Sequence, residues 1–384
     1  MTLDLDARID GLIDVISRRR PVSGAIDKAL RAVPRHRFVP PTGVVLTEDG
    51  PRLIDQHDDP DTWWAFVYGP DAIVTQLDAG ATDIREVNGR STSSNSAPGT
   101  VVDLLTLLDP EPGDRVLEIG TGTGWTAALL SHLVGGHGSV TSIEVDQAVA
   151  EQAGKALAAV GVHPHLIVGD GADGWAEGAP YDRVHVTCAV HTVPYAWVEQ
   201  TRPGGVIVAP FSPGFDVDLS VRLVVMPDGV AAGRFPGCTS YMMMRSQDGS
   251  PVSDDDGSGR RSTTQVDPRT IAHAPAGAGL AMSALTGLHI RDVDEGDRFV
   301  LYVVDPGDPA HWAAAVHDPD GDHLAYQLGD RSLWDEIIDA YAQWVSWGEP
   351  DRERFGMTIT REGQRIWLDT PERLLGSLRA ISRQ

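Results

Sequence analysis

The run Val116-Leu117-Glu118-Ile119-Gly120-Thr121-Gly122-Thr123-Gly124 constrains this chain more than any other segment. A short apolar strand leads straight into three alternating glycines, and the apolar stretch 125–134 reads as the helix that follows. Such a turn lets the backbone pass close to a ligand and offers it the N–H groups of a helix N-terminus. The same alternation continues downstream. Strands are expected at 115–119, 139–145, 166–168, 181–187 and 206–209, with a second helix at 147–160. Strands separated by helices of this length imply a parallel sheet with right-handed crossovers, so the fold class is α/β and Rossmann-like.

The spacing of the glycines and the acids around them narrow the ligand. A dinucleotide turn wants G-x-G-x-x-G, whereas here the pattern is Gly120-x-Gly122-x-Gly124 with Glu118 on the strand before it. A carboxylate there disfavours a pyrophosphate and suits a ligand carrying an ammonium group. Glu144 closes the second strand, ahead of Val145, where a carboxylate can accept from two ribose hydroxyls. Asp170, followed by Gly171, closes the third and can accept from an adenine amino group. Any one of these acids alone is an ordinary strand-end turn residue. Three in order point to S-adenosyl-L-methionine, released as S-adenosyl-L-homocysteine, held by Glu118, Gly120, Thr121, Gly122, Gly124, Glu144, Val145, Asp170 and Gly171. The core is then a class I S-adenosylmethionine-dependent methyltransferase.

The rest of the chain sets the expected organisation. Residues 1–90 open with amphipathic helices (Leu5, Ile9, Leu12, Ile13 and Ile16 share a face) and form a helical, substrate-side region. Residues 91–245 form the methyltransferase core, with a hairpin at 219–244 that could complete the sheet. Ser91 to Ser96 carry no helix or strand signal. Residues 246–268, rich in Ser, Asp, Gly and Arg, read as a flexible linker, and 269–384 as a C-terminal α+β extension. The 384 residues carry 31 Lys and Arg against 55 Asp and Glu, a net charge of −24. That balance repels phosphate backbones and argues against a nucleic-acid partner. No apolar stretch is long enough to span a bilayer, and the N-terminus lacks a secretory pattern, so a cytoplasmic location is expected. Two cysteines, Cys188 and Cys238, make no metal-binding spacing, and no metal is expected.

Several motifs together resemble the protein-L-isoaspartate O-methyltransferases: Val33-Pro34-Arg35-His36-Arg37-Phe38-Val39-Pro40, the glycine run itself, Asp170-Gly171 with Gly174-Trp175, Pro180-Tyr181-Asp182-Arg183-Val184, and Glu199 to Gly205. They lie in order across roughly residues 25 to 245. The family's acceptor motif is Thr-Ile-Ser-x-Pro-His-Met, whose serine contacts the acceptor carboxylate. Ser94-Asn95-Ser96-Ala97-Pro98-Gly99-Thr100 matches it here, keeping Ser96 and Pro98 while Asn95 replaces the isoleucine and Gly99 the histidine. The resemblance implies Ser96, with Ser94 and Asn95, as the catalytic residues. The altered motif, Pro194 to Val198 and the long extension resemble a divergent actinobacterial branch acting in ribosomal peptide biosynthesis, on graspetides and some lanthipeptides. It implies as partner a modified precursor peptide, in which an ordinary aspartate is esterified and then closes to an aspartimide. The alternative is repair of isoaspartyl residues in damaged proteins. Carboxylates are ionised at neutral pH, so no base is needed, and His191 reads as a loop histidine. Thr75 and Gln76 are candidates to line the acceptor site. Oligomeric state is not legible.

Overall fold

A computed structural model describes residues 5–249, 253–255, 257–295, 298–319 and 321–378. Parts of the expected linker, residues 250–252 and 256, and the first four residues of the expected N-terminal region lie outside that range. The chain divides into two compact units, residues 1–188 with 199–209, and residues 189–198 with 210–384.

The first unit begins with α1 (Leu5–Ser17) and α2 (Gly24–Ala32). Ser23 caps α2 by accepting from the Ile26 N–H, and the α1 stripe of Ile9, Leu12, Ile13 and Ile16 is buried. A four-stranded antiparallel sheet follows, built from β1 (Thr42–Thr47), β2 (Gly50–Asp55), β3 (Ile73–Leu77) and β4 (Ser91–Asn95) in the order β2-β1-β3-β4, with α3 (Pro60–Val67) between β2 and β3. Strand β4 is the serine run that carries no strand signal in sequence. Small polar residues have poor strand propensity, but the free edge of β3 supplies the partner, pairing Ile73 with Asn95 and Val74 with Ser94. Then α4 (Pro98–Leu108) leads into β5 (Arg115–Ile119), α5 (Trp125–Val134), β6 (Ser139–Glu144), α6 (Gln147–Ala159), β7 (His165–Val168), β8 (Tyr181–Val186) and β9 (Thr201–Phe211); α7 (Tyr195–Glu199), between the last two along the chain, falls in the second unit except for Glu199. The parallel order β7-β6-β5-β8-β9 is the Rossmann-like arrangement expected. Its centre is fully buried on both faces, as Val116, Leu117, Val184, Val186 and Ile207 show.

The expected N-terminal helical, substrate-side region belongs to this same unit. Helix α2 packs on α5, the Trp125 indole N–H donates to the Val33 carbonyl, and the Arg35 guanidinium lies over the Trp125 ring.

The second unit is α+β. Strands β10 (Leu219–Val225) and β11 (Ala231–Cys238) form the expected hairpin, but β11 pairs with β17, Ala231 opposite Ile359. The hairpin completes the sheet as expected, in the order β9-β10-β11, and the pairing with β17, absent from any local sequence signal, carries the sheet on. Between them run β12 (Arg260–Thr264), α8 (Pro268–Ala272), α9 (Ala276–Thr286), β13 (His289–Glu295), β14 (Arg298–Val304), β15 (Trp312–Val316), β16 (His323–Leu328) and α10 (Leu333–Ser346). Strands β17 (Phe355–Thr360), β18 (Gly363–Leu368) and β19 (Leu374–Leu378) continue the hairpin's sheet. A second sheet has the order β12-β16-β15-β14-β13. Strand β12 lies inside the expected linker. Its side chains are mostly exposed, so hydropathy hides it, and it exists because β16 offers an edge, Arg260 to Thr264 pairing with Gln327 to His323.

Candidate active site

The glycine turn sits at the carboxyl end of β5, as the sequence predicts, and it is rigid. Gly120 has φ +91°, and a Cβ there would come within 2.5 Å of Thr187 Oγ1, whose hydroxyl donates to the Ile119 and Gly120 carbonyls. Only glycine fits. The N–H groups expected to face a ligand are largely engaged. Those of Gly120 and Thr121 donate to the Ile143 carbonyl, that of Gly124 to the Thr121 carbonyl, and that of Gly122 to Glu144 Oε2 at 2.9 Å. These bonds lock the turn to β6, so ligand recognition falls to side chains.

Glu118, expected to serve the cofactor, is wholly buried. Ser142, its register partner on β6, donates from Oγ to Glu118 Oε2 at 2.5 Å and shares a 2.6 Å hydroxyl contact with Thr121. Glu118 Oε1 has no partner. Burial pushes its carboxyl up to about 8, the Ser142 bond opposes this, and Glu144 adds to it. Glu118 therefore acts on the turn through Ser142 and Thr121, as a positioning residue. On its other side the register partner is His185, equally buried, with neither ring nitrogen hydrogen-bonded and its pKa pushed down to about 4 by burial. Ser142 and His185 escape sequence reasoning that looks only at loops. Their signal is a polar residue in the middle of an apolar strand.

Glu144 and Asp170 lie where expected. Glu144 Oε1 accepts from the Asp146 N–H and Oε2 from Gly122, which leaves each oxygen a lone pair for a hydroxyl donor. Asp170 Oδ1 accepts from the Ala172 N–H. Gly171 is packed so tightly that a Cβ would sit 2.4 Å from Ile119 Cγ2. The Cys188 thiol at the end of the neighbouring chain segment is pushed up to about 12, by burial and then by Glu144 and Asp170. The acids of adjacent strands thus converge on one place. Beside them Val145 is 45% exposed, an apolar surface at the rim suited to a planar base.

Beneath the acceptor strand lies Arg35, 1% exposed. Its Nε donates to Asn95 Oδ1 at 2.6 Å, Nη1 to the Val67 carbonyl at 3.0 Å, and Nη2 to the carbonyls of Asp71, Asn95 and Ser96 at 2.8, 3.2 and 3.0 Å. Among the described residues no carboxylate bonds it; burial lowers its pKa to about 9, against the pull of Asp71. Asn95 is also buried, and its Nδ2 donates to Thr123 Oγ1 at 2.8 Å. Asn95, expected among the catalytic residues, thus ties the acceptor strand to Arg35 and to the glycine turn. Ser94 and Ser96 are half-buried on either side of it, and a Cβ on Gly122 would lie 3.3 Å from the Ser94 carbonyl.

The comparisons with known proteins bear on this arrangement. Residues 70–223 match the family model Protein-L-isoaspartate(D-aspartate) O-methyltransferase. Protein-L-isoaspartate O-methyltransferase 2 of Archaeoglobus fulgidus is 34% identical over 210 residues, 54% of this chain and 80% of the relative. The chain belongs to the protein-L-isoaspartate O-methyltransferase family. A Methanococcus maripaludis protein-L-isoaspartate O-methyltransferase is 31% identical over 203 residues, covering 53% of this chain and 80% of its own. A solved structure described as a protein-L-isoaspartate O-methyltransferase aligns with TM-score 0.55 at 21% identity, covering 94% of this chain and 100% of that one. An alignment of that extent includes the C-terminal unit. That likeness is one of fold.

Within this family the enzyme is an S-adenosylmethionine-dependent carboxyl O-methyltransferase. The residues present fit that cofactor: the strand-end carboxylates with no cation among the turn and strand-end residues, and a buried carboxyl oxygen of Glu118 without a hydrogen-bond partner. Glu144, Val145 and Asp170 would hold the nucleoside, and the turn backed by Glu118 the methionine end.

In the second unit His191 is half-buried. Its Nδ1 lies 2.9 Å from the Ser212 carbonyl, its ring packs 4.1 Å from that of His289, and burial lowers its pKa. Also there, Asp267, His317 and His323 bring ligand atoms within 4.8 Å of one another, a grouping no local spacing discloses. Asp267 is however bonded by Arg269 and caps α8, and His323 Nδ1 accepts the Asp318 N–H, so two of the three have already committed lone pairs. Among the described residues no helix is long and apolar enough to cross a membrane.

Proposed function

We propose that this enzyme methylates the free carboxylate of an isoaspartyl residue in a peptide or protein. The observation that carries the reading is the acceptor strand β4 tied to the glycine turn through Asn95 and Thr123, with the strand-end acids on the same turn. S-adenosylmethionine, when bound, supplies an electrophilic methyl group. The acceptor carboxylate is already ionised, so the chain's residues do not need to remove a proton. Their work is alignment and exclusion of water, which at best lowers a barrier by about 7–11 kcal/mol. Arg35 fixes the Ser96 carbonyl and the strand before it, so that the Ser96 hydroxyl can hold one carboxylate oxygen while the other attacks. A cytoplasmic location belongs to the same reading.

A second reading keeps the chemistry and changes the acceptor to an ordinary aspartate in a ribosomally made, modified precursor peptide of the graspetide type. The ester would then be displaced by the next backbone nitrogen, releasing methanol and closing an aspartimide. The departures Asn95 and Gly99 within the acceptor motif favour it. One experiment separates the two. A matched pair of peptides, isoaspartyl and aspartyl, is incubated with enzyme and cofactor, and methyl ester or loss of water is read by mass spectrometry. Ester on the isoaspartyl peptide alone supports the first reading. Reaction confined to the aspartyl peptide replaces it with the second, and no ester on either refutes both.

A further inference from the structure

Beside the glycine turn, within the first unit, lies a cleft of about 270 Å³ that none of the cofactor acids enters. It runs from Gly122 and Thr123 past Thr75 and Ser93 of the acceptor sheet to the exposed side chains of Arg37 and Lys155. Phe38, Val39 and Pro40 supply one apolar wall and Val149 and Ala153 of α6 another. None of its lining residues is acidic. In a chain of net charge −24 carboxylates pair with arginines such as Arg20, Arg31, Arg183 and Arg202. Arg37 and Lys155 have none among the described residues.

Resting on the proposed function, we propose that this cleft binds the segment of peptide next to the methyl acceptor, and that Arg37 and Lys155 select an acidic side chain there. The acceptor carboxylate itself is not their ligand: an ion pair with guanidinium or ammonium would draw off the charge the nucleophile needs. The cleft's contact with both Thr123 of the turn and Ser93 of β4 brings a segment lying in it up to the reaction site. Its volume falls just below the usual range of small-molecule sites and suits a short segment. A nucleic acid, with its closely spaced phosphates, would meet the negative field of the rest of the chain.

The test uses isoaspartyl peptides identical but for a flanking Glu, Gln or Lys, with the full-length enzyme and the double variant Arg37→Glu/Lys155→Glu. The wild type should show a KM about tenfold lower for the Glu peptide than for the Lys peptide, narrowing as salt rises from 0.05 to 0.5 M. The double variant should reverse that order while binding S-adenosylhomocysteine unchanged by calorimetry, which also certifies its fold. Equal KM values across the three peptides in the wild type, or an unchanged order in the variant, overturn the proposal. If no peptide is methylated the proposed function fails, and the cleft is then read directly by fluorescence anisotropy of the labelled peptides. Tighter binding of the Glu peptide to wild type than to the variant sustains it, and equal binding ends it. A single-stranded oligonucleotide that outcompetes the Glu peptide, and loses that advantage in the variant, would replace the peptide with a polyanion.

Discussion

Glu118→Gln isolates the buried carboxyl beneath the glycine turn. An unfolded chain ionises Glu118 near its ordinary 4.5, whereas the folded chain holds the proton up to about 8. Between those values the folded state binds one more proton than the unfolded state. The stability this represents is fully present below pH 4.5 and is lost as pH rises through 8. At 1.36 kcal/mol per pH unit over about 3.5 units the loss is about 5 kcal/mol. Glutamine keeps the shape of the neutral acid and has no proton to lose. The variant should match the wild type near pH 4.5 and gain on it by about 1.4 kcal/mol per unit until pH 8, beyond which the gap is constant. The two compact units need not unfold together, so a local readout is required. Amide hydrogen exchange of β5 and β6, corrected for intrinsic rates and converted to opening free energies from pH 5 to 9, provides it. A wild-type-to-variant gap that does not change with pH would show that Glu118 is ionised in the fold, and that the desolvation argument is wrong.

Other residues carry their own expectations. His185→Leu should remove an opposite, acid limb: the wild-type ring titrates near 4 instead of 6.5, so its stability is present above pH 6.5 and about 3 kcal/mol is lost as pH falls through 4, measurable by the same exchange experiment. Arg35→Lys keeps the charge but loses the planar fork that bonds Nε and both terminal nitrogens at once. It should cut kcat at least tenfold with cofactor affinity unaltered, and full activity would release Arg35 from its positioning role. Ser96→Ala should likewise lower turnover and spare cofactor binding, read by steady-state kinetics beside calorimetry; an unchanged rate removes it from the site. Glu144→Ala should weaken the cofactor by one to two orders of magnitude, since hydrogen bonds to a charged group contribute about 1.5–3 kcal/mol each, and normal affinity would undo the ribose assignment.

What sequence could and could not disclose follows from where each interaction lives. The parallel core was legible because its strands are buried on both faces, so hydropathy and glycine punctuation coincide at residues 115–124 and 139–147. The serine strand 91–95 and the arginine-rich strand 260–264 were not, because each exists through the edge of a partner far along the chain, β3 in one case and β16 in the other. The candidate site divides the same way. Glu144 and Asp170 act at strand ends and announce themselves by position. Asn95 and Arg35 announce themselves too, as members of motifs, but the motif alone suggests contact with substrate. Only the fold shows an amide with both ends used and a guanidinium bonded to backbone carbonyls on two separate segments, 67–71 and 95–96. An arginine so placed holds β4, the residues following α3 and the approach to α4 in one register. The acceptor side of this enzyme is therefore set from below, by a cation that never meets the substrate. Changes to the half-buried part of the acceptor motif, such as the glycine at 99, can alter which carboxylate is accepted without disturbing the frame that presents it.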